Sequence, residues 1–365
     1  MNFDARAFAL AGLFFVCVPR AMSYEAFQTH PGTRAMGMAG VFAAQADDSS
    51  AIWYNPAGPA SDAAAKSDVS IEFANIPSVN QDGEYSRSGM EVKFLGGYTE
   101  ERFAIFGDAN PVTVGVGYFL PYRATININL PRNALNTTPY GDVDVVHRQV
   151  SALIAASPIS RFSWGATVDA MWSEIQCRDY DLCVKKKGPT GYGASVGTKY
   201  SVAKFSSGDV SIAAAWHSRI ALHYTSHPAT GLGSVLEDYV PGRPESFTLG
   251  INLRTSTPLA ALNFNGQAER IGWSNTTKDA AIADYQKFGV SAEALFPVSN
   301  DNNFALRMGA SRASATGVAP EVHIVAASIG YGFELHHSLD LAWEGRSLSA
   351  GIRENFASLS YSLQR

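Results

Sequence analysis

The sequence predicts an all-β chain: a transmembrane antiparallel β-barrel of about 14 strands with an N-terminal segment plugging its lumen. Three observations predict it. Apolar and polar residues alternate with a period of two through most of the chain, aromatic residues fall at the ends of the apolar stripes, and short turns alternate with longer polar loops.

The chain has 365 residues, 46% hydrophobic and 17% charged, with a net charge of -5. This composition would also suit a large soluble domain, so the pattern has to decide. There is no Lys/Arg block to displace counterions from phosphates, which argues against a nucleic-acid partner.

Residues 1–23 read as a secretory signal peptide: Arg6, an apolar run from Ala7 to Val18, then Ala21-Met22-Ser23 at the cleavage site. Pro19-Arg20 ends the run too early for a membrane anchor. Val16 before Cys17 does not fit a lipobox.

Residues 24–66 follow as the plug, rich in small residues that let backbone pack closely and without any two-residue period, a periplasmic tail being the alternative. Residues 67–365 form the barrel. Strands are predicted near 67–77, 90–106, 112–119, 145–156, 161–173, 190–202, 208–217, 245–254, 258–270, 286–297, 303–312, 321–333, 336–345 and 354–364. In the fifth, Phe162, Trp164, Ala166, Val168, Ala170 and Trp172 share one face, opposite Ser163, Thr167, Asp169 and Ser173. A soluble sandwich also alternates. Aromatic pairs such as Tyr192 and Tyr200, or Phe288 and Phe296, instead suit the two interfacial girdles of a membrane barrel. The last strand alternates Ala357, Leu359, Tyr361 and Leu363 with serines and finishes on Gln364-Arg365 rather than on an aromatic residue.

The plug contains Thr33-Arg34-Ala35, Ala46-Asp47-Asp48 and Asn55-Pro56-Ala57, in that order. This block resembles the N-terminal hatch of the long-chain fatty-acid transporter family of outer-membrane proteins (FadL/TodX/OMPP1-like). Thr33 stands where that family's pattern has glycine. The resemblance implies a hatch motif of Arg34, Ala35, Asp47, Asp48, Asn55, Pro56 and Ala57. It also implies passive uptake of hydrophobic compounds, long-chain fatty acids or aromatic hydrocarbons, across the outer membrane of a Gram-negative bacterium. The protein would then be a monomer set in outer-membrane lipid, with a hydrophobic small molecule as its partner. Relatives with the same hatch serve secretion or conjugation machines, so a structural or partner-binding barrel is the alternative.

Gly115 and Gly117 lie two apart in the third strand and mark a candidate lateral opening, because glycine weakens a ladder, the alternative being that they only make room for bulky lumen side chains. In the resembled family the Asn-Pro-Ala part of the hatch lies near a distortion of that strand, which would place Asn55 near Gly115. A loop from Leu120 to Asp144 carries Ile126, Ile128, Leu130 and Leu135 as a candidate hydrophobic groove. Cys177 and Cys183 flank Arg178–Leu182 and are placed to form a disulfide at an outer loop tip, two free thiols being the alternative. Asp169, Lys199, Glu269, Glu293 and Arg307 fall on the polar faces of their strands and should line the lumen.

No cofactor, metal or enzymatic site emerges. His223 and His227 are four apart, but Pro228 argues for a loop rather than a helix that would bring them together. Gly32, Gly37 and Gly40 do not form a dinucleotide fingerprint, and no Gly-x-Ser-x-Gly elbow appears. A porin with an open bore and an outer-membrane hydrolase are the remaining rivals.

Overall fold

Fourteen antiparallel strands close into one barrel in the computed structural model. It describes residues 29–61, 64–75, 78–79, 85–86, 90–101, 111–129, 140–177, 186–223, 242–272, 284–315, 321–334, 336–348 and 353–365. The strands are β1 (Ser67–Asn75), β2 (Met90–Glu101), β3 (Val112–Asn129), β4 (Tyr140–Ile159), β5 (Phe162–Cys177), β6 (Lys186–Phe205) and β7 (Gly208–His217). They continue as β8 (Glu245–Ser256), β9 (Ala261–Gly272), β10 (Tyr285–Pro297), β11 (Asn303–Ala315), β12 (Val322–Phe333), β13 (His337–Leu348) and β14 (Arg353–Gln364). Each pairs with its chain neighbours, and β1 closes the ring on β14 through Val69 opposite Leu363 and Ile71 opposite Tyr361.

The two-residue period decides which side chains face in. On β5, Trp164 and Val168 point outward and are exposed, whereas Ser163, Thr167 and Asp169 are buried inside. On β14, Leu359, Tyr361 and Leu363 face out while Ser358 and Ser360 face in. An apolar outside and a hydroxyl-rich, charged inside invert the arrangement of a soluble protein. A closed sheet has no unpaired edge, so these strands suit a bilayer, where unpaired backbone groups cost several kcal/mol each. The expected lumen residues Asp169, Lys199, Glu293 and Arg307 are buried within.

One expectation is corrected here. β3 and β4 extend to Asn129 and from Tyr140, so the stretch from Leu120 to Asp144 is mostly ladder and the connection between the strands is 130–139. The alternation Ile126-Asn127-Ile128-Asn129 is itself a strand pattern, completed by Tyr140–Val143 opposite. Of the candidate groove, Ile126 and Ile128 lie on this strand, and Leu130 and Leu135 fall outside the described residues.

Short turns at Ser160-Arg161, Ser206-Ser207, Thr257–Ala260 and Val298–Asn302 gather at the end where β1 begins and β14 finishes. The connections that follow β1, β3, β5, β7, β9, β11 and β13 lie at the other end. From one of these, Ile220–Ala221 and Gly242–Arg243 pair into a small hairpin whose Ile220 and Arg243 are buried.

Candidate functional site

A barrel of this strand number encloses more space than its own inward side chains fill. Residues 29–60 occupy it. They form two single helical turns, α1 (Thr33–Met36) and α2 (Ala51–Tyr54), joined by turns. Gly32 at φ 88°, just before α1, and Gly40 at φ 72°, beyond its end, take the positive φ that glycine favours. Alanines at 35, 39, 43, 44, 46, 51 and 57 are all buried, so backbone rather than bulk meets the wall.

The wall binds this backbone directly. Gln267 Oε1 accepts from the amides of Phe42 and Ala43, both at 3.1 Å, and Ser291 Oγ donates to Val41 O at 3.0 Å. Asn55 Nδ2 donates to Ala43 O at 3.0 Å and to Thr198 O of β6 at 3.2 Å, while its Oδ1 accepts from the Ala57 amide at 3.1 Å. Three wall glycines give the space required. A Cβ on Gly165 would collide with the Pro56 carbonyl, one on Gly197 with the Asn55 amide, and one on Gly309 with the Met38 backbone. Gly165→Val should therefore leave strand pairing intact but dislodge residues 55–57. The expected outcome is protease cleavage within 29–60 of the folded mutant and none in the wild type.

Arg34, Asp47 and Asp48, three of the sequence-predicted residues, come together around one wall carboxylate. Arg34 grips Glu293 with two parallel bonds, Nε to Oε1 and Nη2 to Oε2, both 2.8 Å. Its Nη1 reaches Asp47 at 2.6 Å and Asp48 at 3.4 Å. Glu293 also accepts from Arg307 Nε at 2.7 Å and Asn263 Nδ2 at 2.9 Å, and Arg307 continues to Asp340 at 2.5 Å. Burial opposes the charge on Arg34, but Asp47 and Glu293 outweigh it and hold the guanidinium well above its ordinary range. Burial, with Asp68 and Asp47 adding to it, pushes the Asp48 carboxyl up despite Arg34.

Nearer the long connections, His30 is anchored between opposite charges. Its Nδ1 lies 2.6 Å from Glu344 Oε2 and its Nε2 lies 3.0 Å from Lys287 Nζ. A neutral ring satisfies both, donating from Nδ1 to the carboxylate and accepting at Nε2 from the ammonium. Burial, with Lys287 adding to it, lowers the His30 pKa from 6.5 to about 4 against the pull of Glu344. A depressed histidine pKa contributes stability that is complete above 6.5 and is lost as the pH falls through about 4. Acidification across that window should loosen the anchor at Thr29–Gly32. Protease accessibility of the segment as a function of pH checks this, and an identical profile for His30→Asn would refute it.

The third contact is apolar. Ile52, Trp53 and Tyr54 pack with Phe42, Phe94, Tyr98, Phe119 and Leu153 between the segment and β2–β4. Trp53 lies 5.4 Å from the Phe119 ring, which stacks on Phe94 at 5.2 Å. Gly117 faces this cluster, since a Cβ there would strike the Phe119 ring and touch Ile52. Asn55 is thus corrected from the neighbourhood of Gly115 to that of Gly197, and Ile52 meets Gly117 instead. Gly115 and Gly117 keep their partners on both sides, Tyr98 with Leu153 and Gly96 with Ser151. The register break comes between Phe119 and Tyr122, where Pro121 lacks an amide to donate. Thr29 caps the break, its amide bonding Pro121 O at 2.7 Å and its hydroxyl Leu120 O at 2.5 Å.

Cys177 ends β5, while Cys183, like His227 and residues 1–28, lies outside the described residues. Sequence reasoning missed Gln267, Glu344 and Lys287 as partners of the segment. Each stands on the polar face of its strand, which was readable, but its partner was not. The segment separates a small cavity of about 30 Å³, beside His30, Trp53 and His217, from cavities of about 230 and 440 Å³ toward the short turns.

No family model and no curated protein sequence matches the chain. Solved structures do match. A FadL homologue from Pseudomonas aeruginosa superposes with a TM-score of 0.59 at 13% identity, covering 93% of this chain and 99% of that one. The Pseudomonas putida toluene transporter TodX superposes at 0.54 and 13% identity, covering 95% and 100%. A TodX deltaS2S3 mutant, described as a monoaromatic hydrocarbon channel, gives 0.58 at 13%, covering 94% and 100%. The chain has the fold of the FadL/TodX channels. The likeness expected from Arg34, Asp47-Asp48 and Asn55-Pro56-Ala57 thus extends over nearly the whole length of the barrel.

Proposed function

We propose that the protein is an outer-membrane channel for passive uptake of hydrophobic compounds, in which residues 24–66 act as a hatch. The observation that carries this reading is the buried aromatic contact of Trp53, Phe94 and Phe119, formed jointly by the segment and the wall in a lumen lined mainly by polar side chains. An oily molecule entering from the long-connection side that parts this contact exchanges water for its apolar surface at about 25 cal/mol per Å². A general porin has no use for such a barrier. The exposed apolar belt supports placement in a bilayer, and the FadL and TodX likeness supports the class of cargo. Residues 1–23 are proposed as the export signal.

The route runs past the segment rather than sideways through Gly115 and Gly117, because the ladder there is unbroken on both sides. Uptake of radiolabelled oleate and toluene by cells expressing the protein in a background lacking it tests the function. Uptake above the background is expected for at least one, reduced by Trp53→Ala. Equal uptake with and without the protein for both compounds rejects the reading.

A further inference from the structure

The connection between β7 and β8 leaves and rejoins the wall through the hairpin of Ile220–Ala221 with Gly242–Arg243, set inside the barrel mouth. Glycines on the inward face of β6 make room for it. A Cβ on Gly191 would collide with the Ala221 carbonyl, and one on Gly193 with the Ile220 side chain. Ile220 and Leu222 are buried there.

Arg243 ties this hairpin to the wall. Its Nη1 lies 2.8 Å from Asp169 Oδ2 of β5, with both side chains buried, and its Nε and Nη2 donate to Ser218 O at 3.1 Å and Ala194 O at 3.2 Å. The same Asp169 oxygen accepts from Ser195 Oγ of β6 at 3.0 Å, and Ser195 Oγ lies 2.9 Å from His217 Nδ1 at the end of β7. A carboxylate paired with a guanidinium only accepts, so the single Ser195 hydrogen goes to Asp169 and the Ser195 oxygen accepts from an Nδ1–H on His217. The His217 ring is thereby held in one tautomer and one orientation. It stacks on Trp53 of the segment, 6.2 Å between centroids and 28° between planes. Trp53 also meets Phe119 at 5.4 Å, so its indole spans the lumen from β3 to β7.

We propose that Arg243 is a positioning residue for the segment: through Asp169, Ser195 and His217 it holds the ring against which Trp53 packs, so that the hairpin at the mouth and the aromatic contact below it yield together. This role rests on the uptake reading and deepens it by giving the contact a control. A molecule that displaces the hairpin on its way in also weakens the stack on Trp53 that it must part next. Removing the Arg243 charge leaves Asp169 a buried carboxylate without its cation and frees Ser195 and His217 to reorient, with no change in the bulk around Trp53.

Limited proteolysis of the purified full-length protein in neutral detergent tests this. Arg243→Gln should speed cleavage within residues 29–60 by at least about fivefold, the lower end of typical coupling between sites. His217→Phe keeps a ring beside Trp53 but cannot bond Ser195, and in that background Arg243→Gln should change the rate by less than about twofold. Coupling is reciprocal. Trp53→Ala should therefore speed thiol labelling of Ile220→Cys, in protein carrying Cys177→Ser and Cys183→Ser, by a similar factor. This second measurement decides the matter if His217→Phe alone frees the segment, and heat-modifiable migration on gels reports an intact barrel in every variant. Both rates are read without cargo, so they decide the coupling whether or not oleate or toluene is taken up, and absence of uptake removes the uptake reading alone. An equal effect of Arg243→Gln with His217 and with phenylalanine in its place overturns the positioning role, since a general loosening of the wall would not pass through His217. Unchanged labelling of Ile220→Cys in Trp53→Ala overturns it as well.

Discussion

Deleting residues 24–66 is expected to convert a closed barrel into a wide pore. β1 begins at Ser67 and finds both partners, β14 and β2, without any part of the segment, so closure of the ring does not depend on it. What disappears is the chain that fills the bore, together with the aromatic bridge from Trp53 to Phe119. Barrels slightly larger than this one keep an aqueous channel when nothing occupies them, so single-channel conductance in planar bilayers should rise by roughly tenfold or more. The freed wall would carry Glu72, Glu293, Arg307 and Glu344, charges that then meet water instead of the segment. Discrimination in favour of hydrophobic cargo should fall as small hydrophilic solutes pass. Unchanged conductance in a truncated protein that still shows heat-modifiable migration would refute the hatch assignment.

Neutralising Glu293 should be the most damaging single substitution in the lumen. Its carboxylate is fully buried and shared by Arg34 and Arg307, with Asn263 as a further donor. Glu293→Gln keeps the size but leaves two guanidiniums facing each other with one carboxylate fewer, and breaking a buried pair in this way costs about 3–5 kcal/mol. Arg307 still has Asp340, and Arg34 still has Asp47. The loss should therefore appear as release of the segment before loss of the barrel. The expected readout is protease cleavage within 29–60 and a raised basal conductance, at an unchanged β content by circular dichroism. A double-mutant cycle with Arg34→Gln should show strong coupling, since both substitutions break the same bidentate contact. Additive effects would mean that Arg34 is held by Asp47 and Asp48 rather than by the wall.

The fourteen strands were legible because inward and outward positions alternate residue by residue, and neither side tolerates the other's chemistry for long. Trp164 and Val168 against Thr167 and Asp169 announce a strand with one oily face. The lengths of β3 and β4 were not legible. Pairing decides where a strand stops, and Ile126–Asn129 finds its partner only in Tyr140–Val143. The block from Arg34 to Ala57 was legible in the sequence, and Arg34 does meet Asp47 and Asp48, but the wall carboxylate that Arg34 grips, Glu293, comes from a strand far along the chain.

The sequence by itself determined the class of the molecule, the inward and outward faces, and the small-residue segment able to thread a lumen. These follow from local periodicity and side-chain size. Only the tertiary structure decided which wall residue meets which segment residue: Asn55 beside Gly197 rather than Gly115, His30 between Glu344 and Lys287, and Arg34 on Glu293. The physical reason is that a closed ring surrounds the segment with inward faces of similar polarity. Which of them it binds depends on register, on where glycine leaves room, and on which buried charges cancel, and none of these is a property of neighbouring residues in the chain.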